Sequence, residues 1–436
     1  MQISSTRNKQ NIVTFSKAIV DCLPQDGGMY VPAHEMNLRP WIYYMNENTS
    51  FSSIAGSLTS ALIKDELSPI ICENIATRAF PFSPELKQLD EKLFLLELFH
   101  GPTGCHKDFG ISYLASCLEH ILIMENKKAT VLAISNGETG ACIAKALENK
   151  KHLKAIILYT KGSMRGLKES DFVWNGGNIY PVEVDGNEDD CFKVARELFD
   201  DRSLIEKYNL TLANTHNIGR LLPQTFFYTY AFSRLKNKCF TDIFYALSAD
   251  NYGNLVAGLY SWKFSLPVNG FITDSTPSLY ADATGDCTVL DSIIPLEKRG
   301  KADPLNPSNI ERLEEVFCTN PAVIKGFVFP AKVTKQDAGN ALKEMFTKYH
   351  EFIDLQTASA YAASKIRSDV TNDQDGTIVL VSRNHPSLSQ KEIKFWCGEE
   401  PTMPDHIKEL YVKIEPKHKI KAEKSEVVKI LEELNF

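Results

Sequence analysis

Short apolar runs alternating with helical patterns of about ten residues predict an α/β protein built on parallel sheets. Two observations carry that reading. Strand-like runs recur at residues 93–99, 129–134, 155–159, 179–184, 242–247 and 377–381, and helical periodicity follows several of them, over 138–147, 189–199 and 255–264. Polar or glycine-containing loops also stand at the strand-to-helix junctions, where α/β folds place their ligands. The chain has 436 residues, enough for about two to four domains at roughly 100–200 residues each.

The elements justify themselves in order. The first ninety or so residues mix turn chemistry, Pro24-Gln25-Asp26-Gly27-Gly28, with a helix-like stretch over 51–67. The start, MQISSTRNKQNIVTF, carries charge and amides where a signal peptide needs an apolar core. No apolar run approaches the ~20 residues of a spanning helix. Charged residues number 48 Lys+Arg and 55 Asp+Glu, a net of 48 − 55 = −7, with no basic block. That argues against nucleic-acid and anionic-membrane partners. Ten cysteines are present, none in a CxxC or Cys/His pattern with zinc spacing. Reduced thiols in a soluble, cytoplasmic protein without a metal site is the expectation.

Four loops could carry chemistry. The first, His100-Gly101-Pro102-Thr103-Gly104-Cys105-His106-Lys107-Asp108-Phe109-Gly110, precedes apolar residues at helical spacing, which puts Lys107 in the first turn of a helix. A cation is least favoured there, so a desolvated Lys107 tends to a lowered pKa and suits Schiff-base chemistry. A solvated surface lysine fits the same residues. The second loop, Ser135-Asn136-Gly137-Glu138-Thr139-Gly140, offers backbone N–H groups to an anion such as a carboxylate, or is a plain capped turn. The third, Ser248-Ala249-Asp250-Asn251-Tyr252-Gly253-Asn254, could cradle a phosphate. The common nucleotide fingerprints are absent. The fourth is Ser382-Arg383-Asn384-His385-Pro386, which also reads as a rigid turn. His106 is expected to pack on the side of the helix away from the lysine.

The order of these loops resembles the threonine synthase family, pyridoxal-phosphate enzymes of the tryptophan-synthase-like fold (fold type II). His100 to Thr103 with Lys107-Asp108-Phe109-Gly110 resembles that family's HGPT…KDF lysine motif, and Ser135 to Gly140 its TSGDTG loop. Ala213-Asn214-Thr215-His216-Asn217-Ile218-Gly219-Arg220-Leu221-Leu222-Pro223-Gln224 is similar to its NSIN…R stretch, and Ser248 to Asn254 to its phosphate loop. Further traces are Asn306-Pro307-Ser308-Asn309 and His385-Pro386. The resemblance implies two α/β domains with parallel or mixed sheets and a mainly helical N-terminal segment. These are expected over 1–93 (N-terminal segment), 94–125 with 240–436 (large cofactor-binding domain) and 126–239 (small mobile domain).

It also implies roles. Lys107 would carry pyridoxal 5'-phosphate as an internal aldimine and shuttle protons. Glu138, Ser248, Ala249, Asp250, Asn251, Tyr252, Gly253, Asn254, Ser382 and Arg383 would surround the cofactor. Thr103, Ser135, Asn136, Gly137, Thr139, Asn214, Asn217 and Arg220 would bind substrate, with Arg220 taking the substrate phosphate. The implied reaction converts O-phosphohomoserine and water to threonine and phosphate, in a monomer or homodimer.

Several residues depart from the family pattern. Gly104-Cys105-His106 replace aliphatic and aromatic residues before the lysine, and Glu138 replaces Asp. Asp250 stands where a phosphate dianion is expected, an unfavourable neighbour unless it points away. Arg383 takes the place of a Thr that faces the pyridine nitrogen, which would weaken the electron sink, unless Ser382 serves instead. Another pyridoxal-phosphate lyase or β-replacement enzyme, and a paralogue kept as a binding protein, are the alternatives that these departures leave.

Overall fold

In the computed structural model, which describes residues 1–434 apart from 136, 291–293, 318–320 and 373–374, the apolar runs become strands of two separate sheets. β1 (Gln2–Ser5), β2 (Val13–Thr14) and β3 (Tyr30–Pro32) make a small antiparallel sheet near the start. In chain order there follow β4 (Glu85–Asp90), β5 (Leu93–Glu97), β6 (Ala129–Ile134), β7 (Leu153–Thr160), β8 (Ile179–Asp185) and β9 (Leu210–Thr211). Then come β10 (Ile243–Leu247), β11 (Gly270–Asp274), the pair β12 (Leu279–Ala281) and β13 (Cys287–Val289), β14 (Val328–Ala331), β15 (Thr377–Ser382) and β16 (Lys419–Lys421).

The larger sheet has the order β14-β11-β10-β15-β5-β4, parallel except for the edge strand β4. Its central strands β5 and β10 are buried along their whole length, as uninterrupted runs without alternation demand. The smaller sheet, β16-β8-β7-β6-β9, is parallel throughout. The helix Lys107–Glu125 carries buried residues on all sides, among them Phe109, Leu114, Cys117 and Leu122. Such a helix must run through the core, and it starts where the two sheets meet the catalytic candidates.

The end of the chain departs from the expected large domain of 240–436. β16 pairs with β8 of the smaller sheet, and Val427, Ile430 and Leu431 of the helix Lys424–Glu433 join the core beneath it. The reason is legible in hindsight: a three-residue Lys-Ile-Lys strand has no periodicity to announce itself. The preceding segment bridges the halves, with Ile407 against Gly104 and Lys413 bridged to Arg165. Among the described residues no helix is long and apolar enough to cross a membrane.

Candidate active site

The lysine loop is held at both ends. Thr103 donates its N–H and hydroxyl to the Asp108 carboxylate at 2.8 and 2.9 Å, folding the loop onto the first turn of the helix that Lys107 begins. The His106 N–H donates to the Arg383 carbonyl at 2.7 Å and the His385 N–H to that of Gly104 at 2.8 Å. These bonds zip the loop to the turn after β15 and fix Lys107 at the helix start. Lys107 Nζ lies 3.3 Å from Glu138 Oε2. Burial works to lower the lysine pKa, but Cys105, Glu138 and Cys142 outweigh it and the net shift is upward, against the sequence expectation. Burial drives the Cys142 thiol well above its ordinary range.

Lys107 faces a cavity of about 330 Å³ between the sheets. On one wall stands Arg220, in the short helix Ile218–Leu221. It is 3% exposed, and its Nε and one terminal nitrogen, NH1, find no acceptor among the described residues. Burial pushes its pKa down to about 10, still a cation at neutral pH. An unpaired buried guanidinium is an anion receptor waiting for its anion. Gly110 makes the space, because a side chain there would meet the Arg220 guanidinium.

The opposite wall is built from the loop after β10. Gly253 starts the helix Gly253–Lys263; its own N–H donates to Asn251 Oδ1 at 3.1 Å, and the N–H groups that follow in the first turn need an acceptor. A Cβ on Gly253 would crowd Asn251 Oδ1, Thr215 Cγ2 and Asn309 Nδ2 at 3.1–3.3 Å. Asn251 and Asn309 both donate to the Thr215 hydroxyl, at 3.2 and 3.0 Å, and buried Arg312 donates to the Thr215 and His216 carbonyls. One network thus ties the Asn214 loop to the Gly253 loop. Asp250, in left-handed backbone at φ 42°, turns its carboxylate to Arg383, 2.7 Å away. That answers the unfavourable-neighbour question: it is paired with a cation and not left facing an anion alone.

The cavity wall includes Lys107, Thr139, Asn214, Arg220, Asp250, Asn251, Gly253, Asn254 and Arg383. Glu138 meets Lys107 beside it. Other expected residues do structural work. Thr103 holds Asp108, and Ser135 Oγ accepts the Gly137 and Gly140 N–H groups. Asn217 donates to the Ile19 and Leu212 carbonyls and caps its own helix through Gly219 N–H, so its side chain is committed away from the cavity. Ser248 and Ala249 bond to Asp274, the Tyr252 hydroxyl reaches Thr276, and Ser382 is fully buried against Thr357. Gly137 packs near Arg165 and Tyr411, and Asn136 lies outside the described residues. His106 corrects its expectation: it is buried yet lines the cavity, with Nε2 3.3 Å from the Arg383 guanidinium. Thr215, Gln224 and Arg312 were not anticipated. The first two lie within the stretch from Ala213 to Gln224, although neither was assigned a role, whereas Arg312 has no sequence signal beyond one arginine in an amphipathic helix.

A family model described as threonine synthase N terminus matches residues 2–80. A threonine synthase of Buchnera aphidicola subsp. Acyrthosiphon pisum is 31% identical over 413 residues, 93% of this chain and 94% of that one. That of Escherichia coli K12 is 28% identical, with 94% of each covered. Among solved structures, threonine synthase from Escherichia coli superposes with a TM-score of 0.79 at 25% identity over 100% of both chains. A PLP-bound threonine synthase from Brucella melitensis gives 0.82 at 21% identity, covering 100% of this chain and 99% of that one.

Proposed function

The chain belongs to the threonine synthase family, and from that premise we propose that it is a pyridoxal-phosphate-dependent lyase converting O-phosphohomoserine and water to threonine and phosphate. The cavity residues suit the cofactor. Lys107 offers an amine for its aldehyde, and the helix start at Gly253, with Asn251 and Asn254, offers backbone donors for its phosphate. When bound, pyridoxal phosphate supplies a ring that withdraws electrons from the substrate's Cα.

The protein's own groups do the rest. Lys107 Nζ moves protons at the substrate's Cα and Cβ, while Glu138, 3.3 Å away, holds the ammonium form in place. Phosphate departs from Cγ, water adds its oxygen at Cβ, and a proton ends on Cγ as the methyl group forms. Arg220 binds the phosphate before and after it leaves. The backbone of 137–139, with Thr139 on the wall, receives the substrate carboxylate, and Asn214 orients the chain between the two ends. Water must stay out until Cβ is ready, and closure of the smaller sheet's domain on the larger does this. That mobile domain comprises 126–239 together with 419–434. The free cysteines, most of them buried, fit a reducing cytoplasm.

The observation that carries this reading is Arg220, a buried cation with unpaired donors in the same cavity as the lysine. The purified protein with cofactor should show a visible absorption band that Lys107→Ala abolishes, and should release phosphate from O-phosphohomoserine. Loss of Lys107 should cost at least about 10³-fold in rate. A protein that takes up cofactor through Lys107 but releases no phosphate is a different lyase, and one that takes up none is not a lyase of this kind.

A further inference from the structure

Arg220 and Arg383 line one cavity, but among the described residues a carboxylate pairs directly with Arg383 alone. A terminal nitrogen of Arg383, NH2, donates to Asp250 Oδ2 at 2.7 Å and faces His106 Nε2 at 3.3 Å, while the buried Nε–H of Arg383 has no acceptor among the described residues. To accept from a guanidinium the His106 ring must be neutral with its proton on Nδ1. Burial, and then the charge of Arg383, keep it so. The other acids near Arg383 are committed elsewhere. Asp274 accepts from Ala249 N–H and the Ser248 hydroxyl, and Asp354 from Thr357 and the Gln356 N–H. Glu138 is engaged by Lys107. Asp250 differs from all of these. Its side chain is 41% exposed at the rim, and among the described residues its carboxylate bonds only to Arg383.

We propose that Asp250 is an exchangeable counter-ion of Arg383, displaced only by a phosphate monoester dianion, and that it thereby makes the cavity select doubly over singly charged anions. The proposal rests on the anion-binding reading of the cavity given above. A carboxylate tethered beside its partner competes at high effective concentration. A free carboxylate gains nothing by replacing it, since one single charge is exchanged for another. A dianion shared by Arg383 and Arg220 in a water-poor cavity gains charge-assisted hydrogen bonds that Asp250 cannot match. Asp250 therefore acts as a specificity determinant that admits phosphorylated amino acids and turns away their unphosphorylated counterparts.

Calorimetric titration of the cofactor-loaded protein with methyl phosphate and with acetate tests this. The second ionisation of a phosphate monoester lies near pH 6, so about a tenth is dianion at pH 5. Wild-type protein should bind methyl phosphate about tenfold more tightly at pH 7.5 than at pH 5 if only the dianion binds. In Asp250→Asn, acetate affinity should rise about tenfold and the pH dependence for methyl phosphate should flatten, whereas Asp250→Glu should keep the wild-type contrast. Unchanged acetate binding and an unchanged pH dependence in Asp250→Asn overturn the proposal. Titrating cofactor-free protein with pyridoxal phosphate and pyridoxal identifies the source of the dianion. A gain confined to pyridoxal phosphate assigns Asp250 to the cofactor's phosphate, and a gain seen only with methyl phosphate on loaded protein assigns it to the substrate's. The absorption band recorded on the same samples separates the two readings. Selectivity that persists without any band leaves Asp250's role standing and removes the lyase assignment.

Discussion

The two walls of the cavity hold an arginine each and treat it in opposite ways. On the wall from residues 213–224, Arg220 is 3% exposed with two donor atoms unpaired among the described residues. On the wall from the loops after β10 and β15, Arg383 is about as deeply buried, at 6%, but paired with Asp250 at 2.7 Å. An unpaired buried cation costs several kcal/mol relative to one left in water. A fold keeps such a residue where a ligand will repay it, so the Arg220 wall is shaped for a partner that arrives, and the Arg383 wall for one that is already present. On the reading proposed above, the difference means that anion binding completes one side of the site and anion exchange the other.

The largest expected effect removes the unpaired charge. Arg220→Met should raise the melting temperature of the ligand-free protein, because a desolvated cation is replaced by an apolar chain of similar length. The same change should lower kcat/KM for the phosphorylated substrate by about 10²–10³-fold, as loss of a buried charged contact costs about 2–5 kcal/mol. Steady-state kinetics and thermal melts on one preparation check both arms. If Arg220→Met is less stable than wild type, Arg220 has a counter-ion and the contrast between the walls fails.

Much of this was legible in the sequence, for physical reasons. The strand 129–134 and helix 138–147 appear with the bounds that periodicity assigns them, as Ala129–Ile134 and Glu138–Leu147. Buried parallel strands must be uniformly apolar, so they stand out. Lys107 at a helix start also follows from local pattern, whereas Arg220 in the cavity was implied only by the family resemblance. What the sequence hid is long-range pairing. Asp250 and Arg383 are 133 positions apart, and nothing local says that each is the other's compensation. The family resemblance implied Asn217 as a ligand, yet its amide is spent on the Ile19 and Leu212 carbonyls. β16 was too short and too polar to be seen.

The next effect concerns what charge, if any, answers Arg220. Asp108 lies close enough to influence it, although its hydrogen bonds run to Thr103. Burial raises the Asp108 pKa from 3.8 to about 6, with the Thr103 hydrogen bonds opposing. The folded state therefore favours the protonated acid. Its stabilisation is complete below about pH 4, is lost as pH rises toward 6, and stays lost above that, a change of about 3 kcal/mol at 1.36 kcal/mol per pH unit. Asp108→Asn should flatten this part of the stability profile between pH 4 and 6 in denaturant titrations. A profile that keeps its slope in the variant would assign that slope to other carboxylates and leave Arg220 with no titrating neighbour on its wall.

The smallest effect tests whether the Arg220 wall is shaped around its guanidinium or merely tolerates it. A Cβ built on Gly110 falls 2.6 Å from the Arg220 carbonyl oxygen and 2.8 Å from its Cζ. Both contacts are too close, and of the two only the side chain can move. Gly110→Ala should therefore cost about 1–3 kcal/mol by overpacking. It should also raise KM for the phosphorylated substrate with little change in kcat, because the displaced guanidinium binds phosphate less well. The same substitution made on Arg220→Met should cost less, since the flexible thioether yields where the planar fork cannot. A double-mutant cycle on stability reads that coupling as a departure from additivity. Strict additivity would mean that Gly110 serves the backbone carbonyl alone, and the space beside Lys107 would then have been kept for the chain's path and not for the cation.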